Sequence, residues 1–363
     1  MVYTRDGDDS RCRGMHGTQV LANPSVINSR RNPRAVCMKP QPWHSLDSRA
    51  LHRLLQHKTR PESLRSNLRS CSFSTSSGRP YRPLETLHDA RVETFRQQFF
   101  IPEKPTILPR SHFRDIPALK NWFQAGNGSP ADAPDRTTRL NVEYLQSHAA
   151  DAFVPLELTE LSDTTATDVK RFRQFHAPLN LFLEWMRMAE TSPQATRLYL
   201  AQCQLLDLPV ILRDDFPTPA IVAQAGKGDV YDTNVWIGHP PTYTPLHRDP
   251  NPNLFVQLAG RKVVRLLPPG DGQGVFSAVR RQLGRSSDRG AAAIRGEEMM
   301  QGEERALLDQ MVWDVPVSAG SESGTGFEAE LGTGDGLFIP KGWWHSIKGL
   351  GEGVTASVNW WFR

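Results

Sequence analysis

His247 and Asp249 stand one residue apart in TPLHRDPNPNLFVQLAGRK, residues 244–262. On an extended chain, positions i and i+2 point to the same side. An imidazole nitrogen and a carboxylate oxygen placed there can share one metal ion. FIPKGWWHSIKGL adds His345, just after a turn that follows an apolar strand. Two His and one carboxylate make a facial triad whose three open positions suit non-haem Fe(II). Zinc competes for the same ligands, although no HExxH pair is present. The alternative for His345, taken alone, is a core histidine beside two Trp.

Lys262 raises a second question. It sits in the strand-like GRKVVRLL, where a buried ammonium costs several kcal/mol unless it is paired. A bound dicarboxylate would pair it, and the Thr244 hydroxyl would reach the same anion. Asn253 and Asn359 are amides set among apolar residues, and a buried amide needs partners. The alternative is that Lys262 snorkels to the surface and both Asn bond to backbone.

Strand signals dominate the part of the chain that would position these groups. DVYDTNVWIGH, LFVQLAGRKVVRLLPP, EAELGTGDGLFIPK and VTASVNWWF are separated by Gly and Pro at short intervals, the pattern of an antiparallel barrel or sandwich. Upstream, LHDARVETFRQQFF, IPALKNWF, LNVEYLQSHAA and APLNLFLEWMRMAE read as helices. KPTILPR, VPLELTE and RLYLAQCQL read as strands. Residues 270–326 read as a long insertion with one helical piece around GEERALLDQMVW; such a loop is either a substrate-facing element or a surface excursion. There is no internal repeat, Walker A, GxSxG or dinucleotide fingerprint, which removes several enzyme classes.

Composition sets further bounds. The 363 residues carry a net charge of +4. Residues 1–82 hold +10 of it and the remainder is −6, so a basic head precedes a mildly acidic body. No apolar run is long enough to span a membrane. Cys12, Cys37, Cys71 and Cys203 show no metal or disulfide spacing, which fits a reducing compartment. In the head, Leu46, Leu51, Leu54 and Leu55 share one helical face while Arg49, Arg53 and Lys58 lie elsewhere. A Ser/Thr-rich stretch follows. This is the composition of a mitochondrial transit peptide, so a matrix location is expected. An unaddressed tail, with the protein in cytoplasm or nucleus, is the competing reading, and Asp6, Asp8 and Asp9 favour it.

WIGHPPTYTPLHRDPNPNLFVQLAGRKVVRLLPP, GDGLFIPKGWWHSI and SVNWWF together resemble the JmjC-domain 2-oxoglutarate oxygenases, in the small hydroxylase branch that includes factor-inhibiting HIF and the JmjC-5-type arginyl hydroxylase. The resemblance extends over residues 84–363. It implies a mainly β fold with flanking helices: a double-stranded β-helix of the cupin type with its barrel core at 229–363 and helix and strand support at 84–228. It implies Fe(II) on His247, Asp249 and His345, with 2-oxoglutarate and O2 as co-substrates. Lys262 and Thr244 would hold the distal carboxylate of 2-oxoglutarate, Tyr199 would add a hydroxyl to the co-substrate, and Asn253 and Asn359 would lie beside co-substrate and metal. Trp236 and Trp361 would wall the substrate pocket.

The family's demethylases usually carry Glu at the Asp249 position and add chromatin-reading or zinc modules. Neither is visible, so the resemblance implies hydroxylation. A protein or peptide side chain is the expected substrate. An RNA or small-molecule hydroxylase, a non-catalytic metal-binding cupin and a zinc hydrolase are the alternatives; the acidic body argues against nucleic acid. The chain stops after the last barrel strand without a dimerisation module, and a monomer is expected.

Overall fold

The computed structural model describes residues 81–89, 91–126, 137–161, 169–286, 297–314 and 326–363. The amphipathic segment at 46–58 and the Ser/Thr-rich stretch of the head lie outside the described residues.

Two facing sheets form the core. The upstream strands are β1 (Tyr81–Pro83), β2 (Thr106–Leu108), β3 (Phe123–Ala125), β4 (Thr138–Leu140), β5 (Phe153–Leu161), β6 (Val169–Pro178) and β7 (Thr196–Gln204). The barrel strands are β8 (Val230–Gly238), β9 (Thr242–Arg248), β10 (Asn253–Ala259), β11 (Arg261–Leu267), β12 (Gly326–Leu331), β13 (Gly336–Ile339), β14 (Trp344–Leu350) and β15 (Thr355–Phe362). One sheet runs β1-β12-β11-β14-β9, the other β2-β13-β10-β15-β8-β7-β5-β6, and β3 pairs with β4 apart from both. The eight barrel strands divide four to each sheet, and every pairing among them is antiparallel. This is the double-stranded β-helix of a cupin or jelly roll, as expected.

The larger sheet is buried on both faces, and its strands show why their sequences look mixed. In β10, Leu254, Val256 and Leu258 join the main core, which also takes Val358 and Trp360 of β15, Val235 and Ile237 of β8, Leu198 and Leu200 of β7 and Leu156 and Leu158 of β5. Helices α1 (Val142–Ala149) and α2 (Leu179–Thr191) contribute Leu145, Phe182 and Trp185 to the same core. The alternate residues point into the barrel. They are Asn253, Phe255 and Gln257, then Ser357, Asn359 and Trp361, then Asn234 and Trp236. Tyr199 and Glu157 continue the row on β7 and β5.

Several elements differ from expectation. The helix expected over LHDARVETFRQQFF covers only Val92–Phe95 and a wider turn, Arg96–Phe100. Leu87 instead donates its N–H to Ile107 O, and Asp89 accepts from Arg91 N and Thr94 Oγ1. The helix expected over IPALKNWF spans only Ala118–Asn121 and gives way to β3. Strand β6 has no counterpart in the sequence reading. The insertion is more helical than expected, with α3 (Pro269–Gln282), α4 (Glu297–Met300) and α5 (Gly302–Asp309). It buries Phe276, Val279 and Leu308 against Leu246 and Trp344 on the outside of the five-stranded sheet.

Strand β1 starts at Tyr81, three residues before the boundary at 84 expected from sequence. The Tyr81 hydroxyl donates to Val312 O at 3.1 Å, and Arg265 Cζ lies 4.4 Å from its ring centre.

The β10–β11 turn rests on Gly260, with φ of +66° and the Val354 carbonyl 2.5 Å from where a Cβ would sit. Gly260→Ala is expected to lose about 1–3 kcal/mol of stability, read as a lowered denaturation midpoint with unchanged cooperativity.

Candidate metal centre

His247 is the next-to-last residue of β9, and Asp249 follows in the turn that enters β10. His345 pairs with His247 across β14 and β9, and a bulge between His345 and Ile347 brings Thr244 to the same inner face. The three side chains are buried, and their ligating atoms lie within 4.8 Å of one another. His247 Nε2 is 4.0 Å from Asp249 Oδ1, and His345 Nε2 is 3.7 Å from Asp249 Oδ2.

Hydrogen bonds aim these groups. His247 Nδ1 lies 2.8 Å from Pro245 O and His345 Nδ1 lies 3.3 Å from Trp343 O. A carbonyl only accepts, so each Nδ1 carries the proton and each Nε2 turns a lone pair to the cluster. Burial and the neighbouring His345 hold His247 well below its usual pKa, which keeps it a neutral ligand. Asp249 Oδ2 accepts from Asn253 Nδ2 at 2.8 Å and from Trp361 Nε1 at 3.2 Å. Oδ1 takes no hydrogen bond from the described residues and is left for a cation. Such outer partners fix ligand orientation.

Lys262 projects inward from β11 and is 3 % exposed. Its Nζ donates to Ser357 Oγ at 2.7 Å and to Tyr199 Oη at 3.4 Å. Both partners are neutral, and among the described residues no carboxylate pairs with it. Burial lowers its pKa to about 7. Trp236 Nε1 donates to Asn359 Oδ1 at 2.9 Å, which leaves Asn359 Nδ2 and Asn253 Oδ1 buried without partners. A cation without a counter-ion and two orphaned amide atoms fit an anionic ligand with carbonyl and carboxylate oxygens.

The structure thus brings His247, Asp249, His345, Asn253 and Trp361 into one polar cluster, while Asn359 faces the same interior from β15 and is bonded to Trp236. Lys262 and Tyr199 form a second group beneath it. Thr244 faces the same interior, and its carbonyl accepts from Ser346 Oγ at 2.8 Å; no side-chain bond from Thr244 to Lys262 is present. Tyr199 lies flat on the backbone at Gly238, where any Cβ would strike its ring. A separate cleft of about 530 Å³, lined by Gln146–Ala152 and Asp207–Pro209, shares none of these residues.

Sequence reasoning missed Ser357 and Glu157. Ser357 was readable from alternation with Asn359 and Trp361. Glu157 lies opposite Tyr199 and so on the same face. Its Oε1 accepts from Gln174 Nε2 at 3.0 Å. Burial raises its pKa to about 7, and no cation pairs with it among the described residues.

The cupin-like domain family matches residues 92–363. Lysine-specific demethylase JMJ30 of Arabidopsis thaliana is 27% identical over 270 residues, covering 74% of this chain and 52% of the relative. Lysine-specific demethylase 8 of Danio rerio is 26% identical over 287 residues, covering 78% and 59%. The human bifunctional peptidase and (3S)-lysyl hydroxylase JMJD7 is 25% identical over 280 residues, covering 74% and 80%. The chain therefore spans a little over half the length of the first two.

The unfolded chain keeps the lysine proton up to about pH 10.4, whereas the fold releases it near 7. Unfolding takes up a proton between these values, so stability of the ligand-free protein rises with pH across that window. Lys262→Met is expected to flatten this rise and to raise the melting temperature at pH 6, because a buried unpaired cation is removed. Thermal melts from pH 6 to 9 check both.

Proposed function

The chain belongs to the cupin-like domain family, with JmjC-domain proteins among its relatives, and from that premise we propose that it is an Fe(II)- and 2-oxoglutarate-dependent oxygenase that hydroxylates a basic side chain of a protein. The observation that carries this reading is the pairing of a buried two-His, one-Asp cluster with a buried lysine that has no counter-ion.

His247, Asp249 and His345 would hold Fe(II), leaving positions for a chelating co-substrate and O2. Lys262, Tyr199, Ser357 and Thr244 would receive the distal carboxylate of 2-oxoglutarate. The bound metal and co-substrate supply oxidising power: O2 is consumed, 2-oxoglutarate becomes succinate and CO2, and the substrate gains one oxygen. The chain's own work is orientation and exclusion of water. Asn253 and Trp361 hold Asp249 in one rotamer. Asn359 keeps its donor Nδ2 turned into the chamber because Trp236 occupies Oδ1.

Glu157 supports the choice of a basic side chain. A half-buried carboxylate beside Tyr199, pushed toward neutrality for want of a cation, is satisfied by a substrate ammonium or guanidinium. Trp236, with its ring centre 6.3 Å from that of Tyr199, offers an aromatic face beside it. The names of the Arabidopsis, Danio and human relatives point the same way, since each of those three specifies lysine. Glu157 also disfavours a phosphate-bearing substrate. Hydroxylation is preferred to demethylation, and the product decides between them: a retained oxygen marks the first and released formaldehyde the second.

Purified protein with Fe(II), 2-oxoglutarate and O2 is expected to form succinate, and His247→Ala is expected to abolish it. Succinate formation that survives His247→Ala contradicts the reading. Glu157→Gln is expected to lower kcat/KM for Lys- or Arg-containing peptides by about tenfold, the worth of one charge-assisted hydrogen bond.

A further inference from the structure

Strand β9 lies at one edge of the five-stranded sheet and β6 at one edge of the eight-stranded sheet, with β1 and β2 at the opposite edges. β9 carries Thr244 and His247. β6 pairs with β5, which carries Glu157 and pairs with β7, the strand of Tyr199. The pocket proposed for 2-oxoglutarate therefore draws its parts from two sheets whose neighbouring edges share no ladder. Tyr199 Oη must stay near Lys262 Nζ and the Thr244 side for the anion to meet all three.

The insertion crosses this gap. Helix α4 packs against both β6 and β9, and α5 packs against β9. Between the helices, Gln301 Oε1 accepts the Phe172 N–H of β6 at 3.0 Å. Met299 is 1 % exposed, so this crossing is seated rather than laid on the surface. Arg305 Cζ lies 4.8 Å from the Tyr243 ring of β9, which fixes the other side. Arg197 Nη1, donating to Pro241 O at 3.2 Å, is a second tie between β7 and the turn into β9. Two residues beyond Phe172, Gln174 holds Glu157.

We propose that the insertion is a cross-brace for the anion pocket, in which Gln301 is a positioning residue that sets 2-oxoglutarate affinity without touching it. Through β6, β5 and β7 it holds the Tyr199 side of the pocket against the Thr244 side. This rests on the oxygenase reading above. A hydrogen-bond acceptor is the only chemistry the brace requires at residue 301, which separates it from simple packing.

The test uses the full chain with Gln301→Leu, which keeps the volume and removes the acceptor, and Gln301→Glu, which keeps an acceptor. Hydrogen exchange at the Phe172 amide, without ligand, is expected to speed up about tenfold in Gln301→Leu and to stay near wild type in Gln301→Glu. Calorimetry of 2-oxoglutarate with Mn(II) in place of iron is expected to show affinity weakened about fivefold in Gln301→Leu, the worth of one modest hydrogen bond, and little changed in Gln301→Glu. Unchanged Phe172 exchange in Gln301→Leu overturns the brace. Faster exchange with unchanged affinity, or equal weakening in both variants, overturns its link to the pocket. If the wild type binds no 2-oxoglutarate, the oxygenase reading fails and this inference falls with it, while the exchange data still report whether the edges are tied.

Discussion

The eight-stranded sheet is buried on both sides, and its two sides face different media. One side meets an apolar core built with α1 and α2; the other lines the barrel and carries amides, hydroxyls and a carboxylate. Because strand side chains alternate with a period of two, each strand serves both with one sequence. Leu254, Val256 and Leu258 anchor the strand that presents Asn253 and Gln257. Val358 and Trp360 anchor the strand that presents Ser357 and Asn359. A slip of one residue would turn aliphatics into the chamber and amides into the core, so the packing of one face fixes the chemistry of the other.

Within that chamber, desolvation decides what each group is. It makes His247 a neutral ligand, brings the Lys262 ammonium close to release at neutral pH, and brings Glu157 close to protonation. None of the last two groups' partners carries a compensating charge. Hydrogen bonds from Ser357, Tyr199 and Gln174 lessen the cost without removing it. A protein selected for stability alone would replace Lys262 with an apolar residue. Its retention in the barrel is understandable when an anion arrives to share the site, and Glu157 asks for a cation in the same way.

The candidate site was readable in the sequence because its residue types are costly in a strand. His247, Asp249, His345, Lys262, Asn253 and Asn359 all interrupt apolar runs, and all lie inside the barrel. What escaped notice had a physical disguise. Ser357 passes for an ordinary strand residue. Glu157 sits in VPLELTE, where alternation alone explains it. The α3 helix hides behind Gly270, Gly272 and Gly274, yet Gly272 is required because Trp344 fills the space a Cβ would take. Strand β6 reads VKRFRQFHAP, too polar for a central buried strand, because it lies at the edge of its sheet. Its partnership with Gln301 across 129 residues has no local signature at all.

The central proposal is that the barrel holds a metal at the triad and an anion at Lys262, side by side. Diffraction from crystals grown with Mn(II) and 2-oxoglutarate, recorded with the manganese anomalous signal, tests it most directly. One anomalous peak bounded by His247 Nε2, Asp249 Oδ1 and His345 Nε2, with a carboxylate on Lys262 Nζ, is the predicted result. Manganese elsewhere, or a triad filled while Lys262 keeps only Ser357 and Tyr199, would contradict it.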